Sequence, residues 1–250
     1  MFRILLTNDD GIHAPGIKAL EAEVAAVGEV WVAAPQDEQS AASRSITVRR
    51  PLRSNEIKPR HFAIEGTPAD SVMLALAHLL DFQPDLLISG INSGPNLGEN
   101  IFYSGTVAAA AEGARHGIPS IAMSVAERAD IDYSAAAGFA ARLAKQVHAA
   151  GMPAGVALNV NVPHPSYGGV EMTRQSPKIS RNVMLGGHDP RGRPYFWMHE
   201  EVPLDIAEPG TDYAAVRDGK VSVTPMRFDY TADDSMGELK DHLARWVQSV

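Results

Sequence analysis

The chain has 250 residues, 45% hydrophobic and 21% charged, enough to bury the core of one large α/β domain. Its formal net charge of −8 excludes non-specific binding to a nucleic-acid duplex, and its lack of cysteine excludes disulfides and thiolate metal sites. No apolar run approaches the ~18–20 residues that span a bilayer, and the N-terminal run turns acidic at Asp9, too soon for a signal peptide; a cytoplasmic protein without membrane attachment is expected.

In chain order, Phe2–Thr7 is a short apolar run ending in Asn8-Asp9-Asp10-Gly11, a buried strand followed by a turn. Pro15 suits a first helical turn, and Ile17, Leu20, Val24 and Val27 follow at helical spacing. Glu29–Ala34 reads as a second strand, followed by a polar loop, Pro35–Arg44, and β-rich stretches at Ser45–Arg50 and Phe62–Glu65. Thr67-Pro68-Ala69-Asp70 has the form of a capping box, opening a helix with Val72, Met73, Leu76, Leu79 and Leu80 on one face. Asp85–Ser89 is the next strand and runs into a glycine-rich loop, Gly90–Gly98. An alanine-rich helix starts near Ser104, a strand follows at Ser120–Ser124, and Phe139, Leu143 and Val147 mark a helix before a strand at Gly155–Val162. This alternation predicts a mostly parallel, doubly wound sheet with helices on both faces.

Beyond Pro163 the pattern changes. Residues 164–210 are rich in glycine, proline and charge, without helical period. Tyr213–Arg217 and Lys220–Thr224 flank Asp218-Gly219, a hairpin signal. Met236, Leu239, Leu243, Trp246 and Val247 define an amphipathic C-terminal helix. The expectation is a single domain over 1–250, with a core over about 1–163 and an arm over about 164–250.

The residues that carry chemistry sit in loops that leave the C-terminal ends of the predicted parallel strands, where open α/β sheets bind ligands. Asn8–Gly11, the loop with Ser40 and Ser43, and Gly90–Gly98 with Asn92 and Asn96 offer carboxylates, hydroxyls and amide carbonyls. Such hard oxygen donors suit magnesium, manganese or calcium over zinc or copper. Ser104-Gly105-Thr106 opens the alanine-rich helix, whose free N–H groups and partial positive charge suit an anion. A divalent ion beside such a helix end is the minimal equipment for phosphomonoester hydrolysis. Taken singly, each feature has a plainer reading: Asn-Asp-Asp-Gly as a turn, the glycines as backbone geometry, Ser104 or Thr106 as an N-cap. His13 reads as solvated, and Arg174, Lys178, Arg181, Arg191 and Arg193 as a solvated hairpin face, with reach to a substrate phosphate as the alternative.

The run Ile4–Gly16 resembles the opening of the SurE (survival protein E) 5′-nucleotidase family, as do Gly66–Asp70, Ser89–Asn96, Tyr103–Ala110, Asn159–Pro163 and Val221–Pro225. The resemblance implies an α/β/α Rossmann-like sandwich whose C-terminal hairpin and helix exchange between subunits in homodimers or homotetramers. It implies metal ligands at Asp9, Asp10, Ser40 and Asn92, with Asn96 and Ser104-Gly105-Thr106 around the bound phosphate. It also implies one divalent ion per subunit, magnesium or manganese, and phosphate release from nucleoside 5′-monophosphates, sometimes from 3′-monophosphates or polyphosphate. Asp9 and Asn96 are the expected catalytic residues, Asn96 as a hydrogen-bond donor to developing charge. A nicotinamide-dependent oxidoreductase would share the sheet, but its first turn is Gly-x-Gly-x-x-Gly, not Asn-Asp-Asp-Gly. A phosphatase with an aspartate nucleophile would share Asp9 but not the remaining segments. A non-catalytic nucleotide-binding protein would leave the oxygen-rich cluster without a role.

Overall fold

The computed structural model describes residues 1–127, 129–177, 181–201 and 208–248. In chain order the elements are β1 (Arg3–Thr7), α1 (Pro15–Val24), β2 (Glu29–Pro35), β3 (Ser54–Lys58), β4 (His61–Ile64) and α2 (Pro68–Leu74), the last continuing into a π-helical turn, Ala75–Leu79. There follow β5 (Leu86–Ser93), a 3₁₀ turn at Gly98–Phe102, α3 (Gly105–Arg115), β6 (Ser120–Val125), α4 (Ser134–Ala150) and β7 (Ala157–Val162). The chain continues through β8 (Val170–Met172), β9 (Arg181–His188), β10 (Pro194–Glu201), α5 (Asp212–Arg217), β11 (Val221–Met226) and α6 (Met236–Gln248).

Nine strands form one sheet in the order β3-β4-β2-β1-β5-β6-β7-β11-β8. The six from β4 to β7 run parallel, while β3 is antiparallel to β4 and β11 antiparallel to β7. Residue alternation in β1 assigns the two faces. Ile4 and Leu6 pack with Ile17, Leu20 and Val24 of α1 and Phe139, Ala140 and Val147 of α4. Leu5 packs on the other side with Val72 of α2 and Ala109 of α3. Helices thus cover both faces of a mostly parallel sheet, which explains why β5 and β6 are apolar and buried through most of their length. Gly113 lets α3 lie close on the sheet, since a Cβ there would stand 2.4 Å from Ser120 Oγ.

The α2 capping box forms as expected, and within that helix Met73 alone of the apolar face turns to solvent. Three expectations are corrected. Ser45–Arg50 is not a strand, because its backbone is engaged by the α2 cap: Thr67 Oγ1 donates to Ser45 O, and the Thr47 N–H and hydroxyl donate to the buried Asp70 carboxyl. Tyr213–Arg217 is not a strand but α5, whose N-cap Thr211 accepts from Ala214 N. The hairpin lies instead at β9–β10, within the stretch 164–210, where the basic cluster was read as a hairpin face. Its turn is closed by Asp189, which accepts from the N–H groups of Arg191 and Arg193 and from Arg193 Nε.

The sheet takes strands from both sides of residue 163, since β8 and β11 extend it past β7. What departs from it is the β9–β10 ribbon, a separate two-stranded sheet, and α6. Lys178 of the expected basic face lies outside the described residues, as do the side chains of Arg181, Trp246 and Val247. Arg174 pairs with Glu208 at 2.8 Å and Arg193 with Asp189 at 2.8 Å, and both pairs are exposed.

Candidate active site

Chain order reverses at β1, where β2 lies on one side and β5 on the other. Loops leaving β1 and β5 therefore diverge and open a crevice at their carboxyl ends. Five of the residues predicted from sequence meet there, while Asp10, Gly105 and Thr106 stand behind them. Asp9, Ser40, Asn92, Asn96 and Ser104 line one open cleft of about 220 Å³, together with Ser93, Pro95, Asn100 and Tyr103. His13 is exposed beside the first loop.

Asp9 is buried at the end of the β1 loop. Its Oδ1 accepts a short hydrogen bond from the Thr106 hydroxyl, and its main-chain oxygen accepts from Gln39 N at 2.7 Å, which draws the Ser40 loop over it. Burial pushes the Asp9 carboxyl up, while the Thr106 hydroxyl and the N–H groups of Thr106, Asp9 and Gly105 pull it down. Gly105 is required by this close approach, because a Cβ would stand 2.8 Å from Asp9 Cβ. Asp10 accepts from Ser93 N at 3.3 Å and is pushed up to about 6, first by burial and then by the charge of Asp9.

The α3 end thus differs in detail from expectation. Thr106 is fully buried and gives its hydroxyl to Asp9 rather than to the cleft. Ser104 lines the cleft as N-cap, accepting from Val107 N at 3.1 Å and keeping its own proton available. Ser40 Oγ donates to Glu38 Oε1 at 2.6 Å, and Asn92 Nδ2 to Gly94 O at 2.7 Å, so the oxygens of both remain able to accept or ligate.

The donor set fits a hard divalent cation. The Asp9 carboxyl, the Ser40 hydroxyl and the Asn92 amide line one cleft, and Asp10 stands close enough behind for the charge of Asp9 to raise its pKa. Among the described residues no group of three or more His, Cys, Asp or Glu is placed to hold a metal, so any ion depends on neutral oxygens beside the aspartates. The hydroxyls of Thr7 and Ser89, paired in register at the ends of β1 and β5, and Asn8 Oδ1 are buried without partners among the described residues.

Several residues that shape the site were given no role in it by the sequence, although Asn159 and Asn161 lie in a segment that resembles the family. Asn96 is clamped by an amide network: its N–H donates to Asn161 Oδ1, its Nδ2 to Ser124 Oγ, and its carbonyl accepts from Asn159 and Asn161. Asp212, fully buried at the start of α5, accepts from Gly98 N at 3.0 Å and from Ser176 N at 2.9 Å, while Gln175 Nε2 donates to Gly98 O. Tyr133 stands against Asp10, and its hydroxyl pKa is raised first by burial and then by that carboxylate. In the sequence these are ordinary strand, loop and helix-start residues, and only the packed sheet brings them to the loops.

The family model for survival protein SurE matches residues 4–182. The chain belongs to the SurE family. The proteins named 5′-nucleotidase SurE in Moorella thermoacetica and Myxococcus xanthus are 45% and 46% identical to it, over 96% and 95% of this chain and 96% and 92% of theirs. The solved structure of the SurE protein from Aquifex aeolicus superposes with a TM-score of 0.87 at 41% identity, covering 95% of this chain and 98% of that one. The α/β architecture is therefore that of a SurE protein along nearly its whole length. Among the described residues no helix is long and apolar enough to cross a membrane.

Proposed function

We propose that the chain is a metal-dependent 5′-nucleotidase that releases phosphate from nucleoside 5′-monophosphates, and that it extends this chemistry to 3′-monophosphates and short polyphosphate. The observation that carries the reading is one cleft in which the Asp9 carboxyl meets the capped end of α3, in a family whose curated relatives are named for this activity. Asp9, Asp10, Ser40 and Asn92 would hold one divalent ion per subunit, magnesium or manganese. When bound, the ion supplies charge neutralisation at the phosphate and a more acidic water.

The chain's own residues do the rest. Ser104 donates its hydroxyl to a non-bridging phosphate oxygen, with the α3 dipole behind it. Thr106 and the Gly105 N–H orient the Asp9 carboxyl, which as a ligand of the ion would be a poor nucleophile. Asn96, fixed by Asn159, Asn161 and Ser124, adds a neutral hydrogen bond as charge develops on the phosphoryl group. The enzyme acts as a homodimer or homotetramer in the cytoplasm.

Phosphate release from AMP, assayed with Mg²⁺ or Mn²⁺ and again with EDTA, tests the reading. Turnover is expected only with metal, with inversion at a chiral phosphorus, as one in-line attack by water requires. Metal-independent turnover, or retention of configuration, overturns it.

A further inference from the structure

A second cavity, separate from the catalytic cleft, lies between the Ser40 loop, the first turns of α3 and the segment that follows β11. It encloses about 180 Å³ and is lined by Arg44, Phe102, Met226, Arg227, Phe228 and Tyr230 among others, with no acidic residue among them. It continues into an open groove of about 450 Å³ that shares Arg227, Phe228 and Tyr230 and adds Arg115. The one acid in that groove, Asp229, is engaged by the N–H and hydroxyl of Thr231.

The half-buried Arg44 decides the chemistry. Its guanidinium lies 5.0 Å over the Phe228 ring and 5.9 Å over Tyr230, and Nη1 donates to the Tyr230 hydroxyl at 3.0 Å. Neither Arg44 nor Arg227 has a carboxylate partner among the described residues, in a chain whose net charge is −8. A guanidinium held against aromatic rings without an anion keeps unused, well-oriented donors. The enclosed part is apolar and of a size for a ring system rather than a whole nucleotide. The open part adjoins it directly and sets Arg227 and Arg115 against the single carboxylate of Asp229, with Arg115 also 3.9 Å from Glu112 of its own helix.

We propose that this cavity is a second nucleotide-binding site, taking a nucleobase between Phe102, Met226 and Phe228 and a phosphate at Arg227 and Arg115, with Arg44 bridging the two. The site abuts the machinery of the cleft. Ser43, next to Arg44, donates its hydroxyl to Phe102 O at 2.7 Å and its N–H to Tyr103 O at 3.0 Å, and the same loop carries Ser40. A nucleotide on Arg44 and Phe102 therefore biases the position of Ser40, and by linkage substrate in the cleft biases occupancy of the second site.

Equilibrium dialysis of the full chain with Mn²⁺ tests this, using the AMP analogue in which a methylene group replaces the ester oxygen and blocks hydrolysis. Two equivalents per chain are expected, and one in the Arg44→Gln/Arg227→Gln double variant, whose turnover of p-nitrophenyl phosphate stays within about twofold of the parent. Phe228→Ala alone is expected to weaken the second equivalent by about tenfold. Ribose 5-phosphate, which lacks the base, is expected to fill the second site at least about tenfold more weakly than the analogue. A single equivalent in the parent chain, or a second that survives in the double variant, overturns the proposal. So does equal affinity for ribose 5-phosphate, or joint loss of both equivalents with p-nitrophenyl phosphate turnover, which would make the cavity part of the catalytic cleft. These binding readouts stand whether or not AMP itself is hydrolysed.

Discussion

At the scale of single residues, the site depends on which oxygens remain free to ligate. Asp9→Asn and Asp10→Asn keep the shape of the loop while removing one negative charge each from the donor set. Both are expected to lower turnover by orders of magnitude while leaving the far-UV spectrum and the melting transition cooperative. Near-normal turnover of either folded variant at modest metal concentration counts against the ligand assignment. Thr106 acts one step back, through Asp9. Thr106→Val conserves volume but removes the hydroxyl, and it is expected to weaken Mn²⁺ binding and turnover by about 10–100-fold, as for other groups that orient metal ligands. Thr106→Ser restores the donor and is expected to recover most of both; calorimetric titration with Mn²⁺ reads the first effect independently of activity. Asp9 and Asp10 stand out in the sequence because they follow the end of an apolar strand in a polar turn, whereas Asn92, expected in a loop, lies within the last residues of β5. The partner of Thr106 was not, because a threonine at a helix start looks the same whether it caps the backbone or reaches an aspartate 97 residues away.

Among the elements, α5 shows how one dipeptide serves two structures. Asp218-Gly219 between two β-compatible runs reads as a hairpin turn. In the fold it terminates a helix: Gly219 has φ +72, its N–H donates to Val216 O, and the Lys220 N–H donates to Ala215 O. These two bonds make a complete C-terminal cap in which a residue with a side chain is disfavoured. The choice was decided by Thr211 and the buried Asp212, a start signal whose worth depends on distant partners. Gly219→Ala is expected to destabilise the chain by roughly 1–2 kcal/mol. Gly237→Ala, inside α6 where no atom crowds the added methyl, is expected to be neutral or stabilising. Urea midpoints of the two variants should therefore move in opposite directions or differ clearly; equal shifts would refute the capping role. By contrast, β1 and β6 were read with nearly their observed bounds, because continuous apolar runs bounded by turn residues leave little else for the chain to form; β5 was read too short, since it runs on through Gly90 to Ser93, the start of the stretch read as a glycine-rich loop.

For the whole molecule, the sheet order explains why three separate loops share one cleft, and why alternation of strands and helices sufficed to foresee it. The C-terminal third was harder, since its strands join the far edge of the same sheet out of sequence and in both directions. Among the described residues the β9–β10 ribbon pairs with no other strand, and it leaves Phe196, Trp197 and Met198 about two-thirds exposed, at 69%, 71% and 65%. Met236, Leu239 and Leu243 of α6 are also exposed. An isolated two-stranded ribbon is marginal in water, and a second copy of the chain is the proposed cover. Light scattering of the full-length protein is expected to give a dimer or larger species, weakened by Trp197→Lys or by deletion of residues 230–250. A monodisperse monomer would sink the idea.

The Asp212 carboxyl has a consequence for the order of events during synthesis. Every residue assigned to metal or phosphate has been synthesised once Thr106 is made. Yet the loop that carries Asn92 and Asn96 is held at one point by Asn159 and Asn161 and at its far end by Asp212. The nascent chain must therefore be nearly complete before its cleft takes shape, and pairings across more than a hundred residues delay that moment. A chain released early would carry both aspartates and the α3 sequence with nothing to clamp the loop between them, so competence to act arrives with the last fifth of the polypeptide.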